Sequence, residues 1–548
     1  MSNQNTKRRR YRAQSSNDER QPLLRDELHD GEQGGAPAAA APTGLRGLLR
    51  SSGYSLYVLL LLLLTYLLNQ LDRYMLAIVA RPSAQEIEFG DKGCLLNETV
   101  KSTLEDGNCT AITTETTCTS FVDADGHHGC KWDYTGTGTE YNLLAGPVFI
   151  LIYTFAGIPM GLAADLYNRK LLLAGALILW STCTFLTGFA EEYWELAVLR
   201  FGIGFGEAGC TPFATSLLAD YFIPELRGTA LGVYNWGIYF GYSMAYAIGN
   251  FITDANIMDM GWRWSYFISG GPGILLGILM IFTLKEPLRA GVTDESRAAA
   301  RQKTFVQRLP EMMRLFFRPS LFLLCFAGAI RNAAGYVWSY STQTFFEGIG
   351  QTSTQIGAYM SWIPLVAGSI GVVFGGFISD RVVSRVGPHG RVWVIIISQL
   401  LAAPFVFCVL FVEPPWAYIS LIPVYIIGEM WIPITLAVLV ELVPAEIRTA
   451  AVAFYFFVIS NVGGNMPLLV DPVKQAFKNA GNSEIDALRD TLYLFYPGEY
   501  ILGALLYLLA LFSLRRDLRI AQEESARAGS IQKDGESNEG YEPTAEET

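Results

Sequence analysis

The stretch Tyr54–Ala80 reads YSLYVLLLLLLTYLLNQLDRYMLAIVA. Leu59–Leu64 is an unbroken leucine run, and no charge appears until Asp72 and Arg73. A helix of about 20 mostly apolar residues crosses a bilayer. The segment therefore predicts a membrane span that carries an adjacent acid and base late in its course. Residues 1–52 precede it and are polar, so it reads as a retained helix rather than a cleavable leader.

Working outward, runs of the same kind recur at Leu143–Ala163, Leu171–Phe189, Leu196–Leu218, Thr229–Phe251 and Tyr266–Leu284. A second set follows at Leu321–Ser341, Gly357–Ile378, Val392–Val412, Ile419–Val440, Ala450–Val470 and Tyr500–Leu514. Only 17% of residues are charged and 51% are hydrophobic, where a soluble chain has about 25% charged. These runs predict an all-α membrane protein with twelve transmembrane helices in two six-helix halves. The expected organisation is a disordered cytoplasmic tail 1–52, an N-terminal half 53–284 with a luminal loop 81–141, a central cytoplasmic loop 285–318, a C-terminal half 319–515 and a disordered tail 516–548.

Basic residues collect on the cytoplasmic side of membrane proteins. Lys7–Arg10, Arg169, Lys170, the central loop, Arg381, Arg385, Arg391, Arg448, Arg515, Arg516 and Arg519 all fall on one side of a twelve-span count with both termini cytoplasmic. The opposite side opens with the segment from Arg81 to Glu140, which holds eleven acidic and four basic residues. It offers two glycosylation acceptors, Asn97 and Asn108, and the cysteines Cys94, Cys109, Cys118 and Cys130. A non-cytosolic loop favours disulfides over a metal site with His127 and His128, and four cysteines leave three pairings. Cys183, Cys210, Cys325 and Cys408 fall in spans, where cysteine packs as a small apolar residue. Glu19, Leu23 and Leu24 in the first tail form an acidic dileucine pattern. Such a pattern directs proteins to endosomes and lysosomes through clathrin adaptors; the plasma membrane is the alternative location.

The two halves echo each other. Gly206-Glu207, Pro212, Asp220 and Pro224 to Arg227 are followed in the same order by Gly428-Glu429, Pro433, Glu441 and Pro444 to Arg448. After the second span come Gly161, Asp165, Arg169 and Lys170; after the eighth come Gly376, Asp380, Arg381 and Arg385. A glycine lets a neighbouring helix approach closely, and the aspartate can pair with a base or cap a helix across the seam between halves. These residues are candidate cytoplasmic gate elements. Parallel six-span repeats suit transporters whose site lies between the halves.

The loop motif resembles the signature of the major facilitator superfamily. Within it the chain is similar to the spinster-like transporters and, more distantly, to organic-anion symporters. Leu68-Asn69-Gln70-Leu71-Asp72-Arg73-Tyr74, Arg200 to Ala208 with Gly204, Gly206 and Glu207, Gly261 to Trp264, and Lys285-Glu286-Pro287 carry the resemblance, which spans roughly residues 54 to 515. Gln70 replaces a usual aromatic, the cysteine-bearing loop is not a general feature of the branch, and the second half fits more loosely. The resemblance implies alternating access, proton coupling and lysolipid or sphingolipid substrates.

Ionisable groups inside a span cost on the order of 3 kcal/mol or more and are functional candidates. Asp72, Glu207, Arg73 and Arg200 are the expected proton-coupling residues, with the two acids as a protonatable pair and an arginine as partner. Asn69, Arg331, Asn332, Glu429, Tyr234 and Trp338 are substrate-binding candidates, and Arg331 suits an anionic head group. Expected partners are membrane lipid, protons, a small amphipathic or anionic substrate and an accessory membrane glycoprotein. No phosphate-binding loop of the form G-x-x-x-x-G-K-[ST] occurs, and neither a cofactor, an enzymatic constellation nor a nucleic-acid face is expected. A non-transporting receptor with the same fold is the rival class.

Overall fold

A bilayer offers backbone N–H and C=O groups no water, so each apolar run must satisfy them within itself and becomes a helix. The computed structural model describes residues 44–96, 109, 112, 114–122, 127–287, 317–443 and 448–538. The sorting residues Glu19, Leu23 and Leu24, the acceptors Asn97 and Asn108, most of the central loop and the side chain of Asp165 lie outside the described residues.

The first half contains span 1 (Gly53–Ile78), span 2 (Pro147–Leu166), span 3 (Arg169–Thr187), span 4 (Tyr193–Glu207 and Cys210–Tyr221), span 5 (Pro224–Ala255) and span 6 (Arg263–Thr283). The second contains span 7 (Pro319–Gly348), span 8 (Ser353–Met360 and Ser369–Val386), span 9 (Gly390–Phe411), span 10 (Trp416–Gly428 and Trp431–Leu442), span 11 (Arg448–Gly464) and span 12, which begins at Pro497. Among the described residues, nine helices are long and apolar enough to cross a membrane. Spans 4, 5 and 11 fall outside that set: span 4 carries Glu195, Arg200, Glu207 and Asp220 among its glycines, span 5 is rich in tyrosine and glycine, and span 11 is short.

The fourth helix of each half is interrupted at its Gly-Glu step, after Glu207 in one and after Gly428 in the other. A helix break releases carbonyls from the i to i−4 ladder. Gly428 O is used at once, accepting from Arg331 Nη2 at 3.1 Å and Gln399 Nε2 at 3.1 Å. In span 5, a Cβ at Gly237 would lie 3.1 Å from Leu67 N and one at Gly241 would collide with Leu67 O, so both glycines let spans 1 and 5 touch backbone to backbone.

Among the described residues, the segment after span 1 forms a two-stranded ribbon. Lys92–Leu96 pairs antiparallel with Cys130–Tyr134, with Cys94 opposite Trp132. Disulfides join Cys94 to Cys118 and Cys109 to Cys130, which selects one of the three pairings. The end of the molecule that carries this ribbon is called here the cap end, and the opposite end, with the arginine-rich turns, the basic end. The segment 516–548, expected to be irregular, is helical through Asn538, continuing span 12 without a break. Its composition accounts for this: Ala, Glu, Gln, Arg and Leu, all good helix formers, predominate just beyond Arg516.

Among the described residues, hydrogen bonds and ion pairs between the two halves lie at mid-depth and toward the cap end. They include Thr154 with Asn461, Asn250 with Gln343, Thr354 with Asp254, and Arg81 with Glu347. Charged networks at the basic end each lie within one half. Among the described residues, the seam is thus tied at mid-depth and toward the cap end, while the charged networks of the basic end each stay within one half.

Candidate functional site

Consecutive helix residues point about 100° apart, and Asp72 and Arg73 accordingly meet different neighbours. Arg73 faces span 4, with Nη2 2.9 Å and Nε 3.3 Å from Glu207 Oε2. Its guanidinium lies over the rings of Tyr153 at 4.5 Å and Phe149 at 5.2 Å. Its remaining donor reaches out of the half altogether, to Tyr336 Oη on span 7 at 3.3 Å. Glu207 is fully buried and its Oε1 has no hydrogen-bond partner.

Asp72 turns away from this pair. Its carboxylate is fully buried, with the hydroxyls of Thr184 of span 3 and Ser269 of span 6 as its polar neighbours. Of the two acids expected to form a pair with an arginine partner, Asp72 and Glu207 lie close enough to interact, but only Glu207 is hydrogen-bonded to Arg73. Glu207 alone takes Arg73, because the step of one residue along span 1 sends Asp72 to another face.

Arg200 also differs from expectation. Among the described residues it pairs with no carboxylate and instead gathers backbone carbonyls late in span 1, Arg73 O at 2.9 Å and Asp72 O at 3.3 Å, with Leu144 O at 3.4 Å. It too reaches across the seam, to Tyr340 Oη at 3.3 Å. Phe149 of span 2 slides beneath it, 4.5 Å from the guanidinium. The space beside Gly204 is what admits span 2, since a Cβ there would stand 2.8 Å from Phe149 O.

The second half repeats the first motif. Arg331 on span 7 meets Glu429 at the break in span 10, Nη2 to Oε1 at 3.0 Å, as Arg73 on span 1 meets Glu207 at the break in span 4. Arg331 is further held by Gln399 Oε1 at 2.7 Å and Tyr500 Oη at 2.7 Å, and lies over the Tyr500 ring at 4.1 Å. Arg331 thus already has a full set of partners within its own half. Gln399, Tyr500 and the buried carboxylate Glu499 were not singled out from sequence. The position of Arg331 on the first helix of its half, matching Arg73, was the signal available.

The other candidates are distributed around these centres. Asn69 lies beside Glu207 and accepts from Gln70 Nε2 at 2.9 Å. Asn332 donates to Ile459 O at 3.0 Å, tying span 7 to span 11. Tyr234 stacks on Tyr66 at 4.5 Å, and Trp338 stacks on Tyr496 at 4.6 Å; both are buried in packing rather than open.

At the basic end, Arg169 is buried and joins Asp220 at 2.6 Å to Glu286 at 2.8 Å, all in the first half. Lys170 offers its backbone N–H to Glu286 at 2.9 Å. In the second half Arg391 joins Asp380 at 2.8 Å to Glu441 at 2.9 Å. The counterpart of Arg169 is therefore Arg391, at the start of span 9, and not Arg385; Arg381 lies over the Phe377 ring at 5.7 Å. Among the described residues, nothing lies within 4 Å of a Cβ placed on Gly161 or Gly376, so no close helix approach is seen at either. Among the described residues the gate charges form two arginine clamps, one per half; the side chain of Asp165, on which a latch in the first half depends, lies outside them.

A model of the Major Facilitator Superfamily matches residues 62–466. The chain is 26% identical over 515 residues to protein spinster homolog 1 of Mus musculus, covering 86% of each chain. It is 25% identical over 391 residues to a Danio rerio protein named sphingosine-1-phosphate transporter SPNS2, covering 67% of this chain and 76% of that one. Among solved structures, a bacterial homologue of the human lysosomal transporter Spinster, inward-facing and unoccupied, superposes with a TM-score of 0.62 at 22% identity, covering 86% of this chain and 98% of that one.

Proposed function

From the premise that the chain belongs to the major facilitator superfamily, we propose that it is a proton-coupled alternating-access carrier for an amphipathic anion of the lysolipid class, exporting it from the lysosome. The observation that carries this reading is the position of Arg73. It is held at once by Glu207 in its own half and by Tyr336 in the other. Rocking of the halves separates Tyr336 from Arg73 and changes the surroundings of the ion pair. A buried carboxylate that loses its cation is poorly tolerated as an anion and takes up a proton. Proton binding and the orientation of the halves are then linked, because each biases the other.

An anionic head group supplies a competing partner for Arg73 or Arg331, while the tyrosines and phenylalanines around both arginines accommodate its apolar portion. The fish relative's name specifies a phosphorylated sphingoid lipid, which fits the same chemical class. The dileucine pattern at Glu19, Leu23 and Leu24 supports a lysosomal address.

Purified protein in proteoliposomes, presented with radiolabelled lysophospholipids and small organic anions under an imposed pH gradient, tests the substrate class. Gradient-dependent lysophospholipid movement is the expected result. Movement of small anions alone replaces this reading with an organic-anion symporter, and movement of neither favours the receptor class.

A further inference from the structure

At the cap end, each half contributes a module that stands outside its spans. The first half supplies the disulfide-stapled ribbon Lys92–Leu96 with Cys130–Tyr134 and the turn that follows it. The second supplies the helices Val470–Asn479 and Glu484–Phe495. The turn is shaped by glycines that no other residue replaces easily. Gly136 and Gly138 have φ of 71° and 103°, and a Cβ on Gly138 would stand 2.6 Å from the Asp91 carboxylate. Asp91 N donates to Thr137 O at 2.9 Å and Asp91 O accepts from Thr135 N at 2.9 Å, so turn and ribbon form one rigid edge.

That edge rests on a buried lysine. Lys474 is 3% exposed, a rare state for lysine unless it is paired. Its ammonium donates to Thr137 Oγ1 at 3.4 Å in the first half and is paired with Glu484 at 3.0 Å and Asp471 at 3.7 Å in the second. Thr139 Oγ1 donates to Asp471 Oδ2 at 3.5 Å. Two residues on, Tyr141 Oη donates to Tyr340 O at 3.0 Å, and the Tyr340 hydroxyl is the one that meets Arg200.

We propose that the stapled ribbon and the turn Thr135–Thr139 form a lid that locks the cap end by docking on Lys474 and reports its position to the central arginines through Tyr141 and Tyr340. The charged groups at the docking surface are Asp91 on the lid and Asp471, Lys474, Lys478 and Glu484 opposite it. Opening of the cap end requires the lid to leave Lys474 and Tyr141 to leave Tyr340, so a cavity cannot open there without disturbing Arg200. The two disulfides keep the ribbon from unravelling when it undocks, which lets it return to the same seat.

Spin labels at Lys92 and Asn479, on the two modules, read the docking directly by pulsed electron resonance on the full-length protein in lipid nanodiscs. The expected native result is a dominant short separation. Lys474→Glu is expected to add a longer population and Lys474→Gln a smaller one. Reduction of the disulfides broadens the distribution. A control pair at Lys92 and Glu191, both in the first half, stays unchanged in the Lys474 variants and separates undocking from misfolding. Tyr141→Phe is expected to leave the lid folded but raise the longer population. An unchanged Lys92–Asn479 distribution in both Lys474 variants and in Tyr141→Phe would overturn the proposal and leave the cap as static packing.

Discussion

The two buried Arg–Glu pairs occupy matching places in the two halves but are wired differently. Arg331 draws its partners, Glu429, Gln399, Gly428 and Tyr500, from its own half. Arg73 takes Glu207 from its own half and Tyr336 from the other, and the neighbouring Arg200 takes Tyr340. Among the described residues, the hydrogen bonds of Arg331 thus stay within one half, with Tyr239 of span 5 facing Glu429 from the other half, whereas Arg73 and Arg200 themselves hydrogen-bond across the seam. A duplicated motif can thus divide its labour, with stability in one copy and sensitivity to conformation in the other.

The sharpest way to break this comparison is to remove each arginine. Arg73→Ala leaves Glu207, fully buried, without its cation, a change that typically costs about 3–5 kcal/mol. Thermal unfolding in detergent should show the largest loss there. Arg331→Ala should cost somewhat less, because the Glu429 side chain is 17% exposed and can recruit water. If Arg331→Ala widened the seam and Arg73→Ala did not, the assignment of roles would be inverted.

Single hydroxyls sharpen it further. Tyr336→Phe and Tyr500→Phe each remove one bond to an arginine, worth about 1–3 kcal/mol when the partner is charged. Only Tyr336→Phe should shift the distance between halves measured by spin labels, since only that bond crosses the seam.

The smallest expected effect is on pH. Asp91 holds its proton more tightly than an ordinary carboxyl because it is partly buried and faces Asp471, with Lys474 opposing. The docked lid therefore binds a proton more readily than the undocked one, and acid favours docking. The docked fraction should rise as pH falls from neutral toward the ordinary carboxyl range near ~4, and Asp91→Asn should flatten that rise.

Much of this arrangement was legible in the chain. Leucine runs gave the spans, the repeated Gly-Glu and gate motifs gave the two halves, and isolated charges within spans gave Arg73 and Glu207. What periodicity could not show was which residues meet across helices distant in sequence. Tyr336 with Arg73, Gln399 with Arg331 and Thr137 with Lys474 are all of that kind. Motif spacing also misassigned Arg385, since the clamp in the second half is made from the next helix, by Arg391. Polarity alone suggests an irregular tail beyond Arg516, whereas its many good helix formers let span 12 continue into it.

The most direct test of the central claim is lysophospholipid flux driven by a pH gradient in proteoliposomes, comparing the native protein with Glu207→Gln. The account predicts that the native protein responds to the gradient and that Glu207→Gln, which cannot exchange a proton at that position, transports at a rate independent of it. A variant that still followed the gradient as the native protein does would contradict the assignment of proton coupling to the Arg73–Glu207 pair.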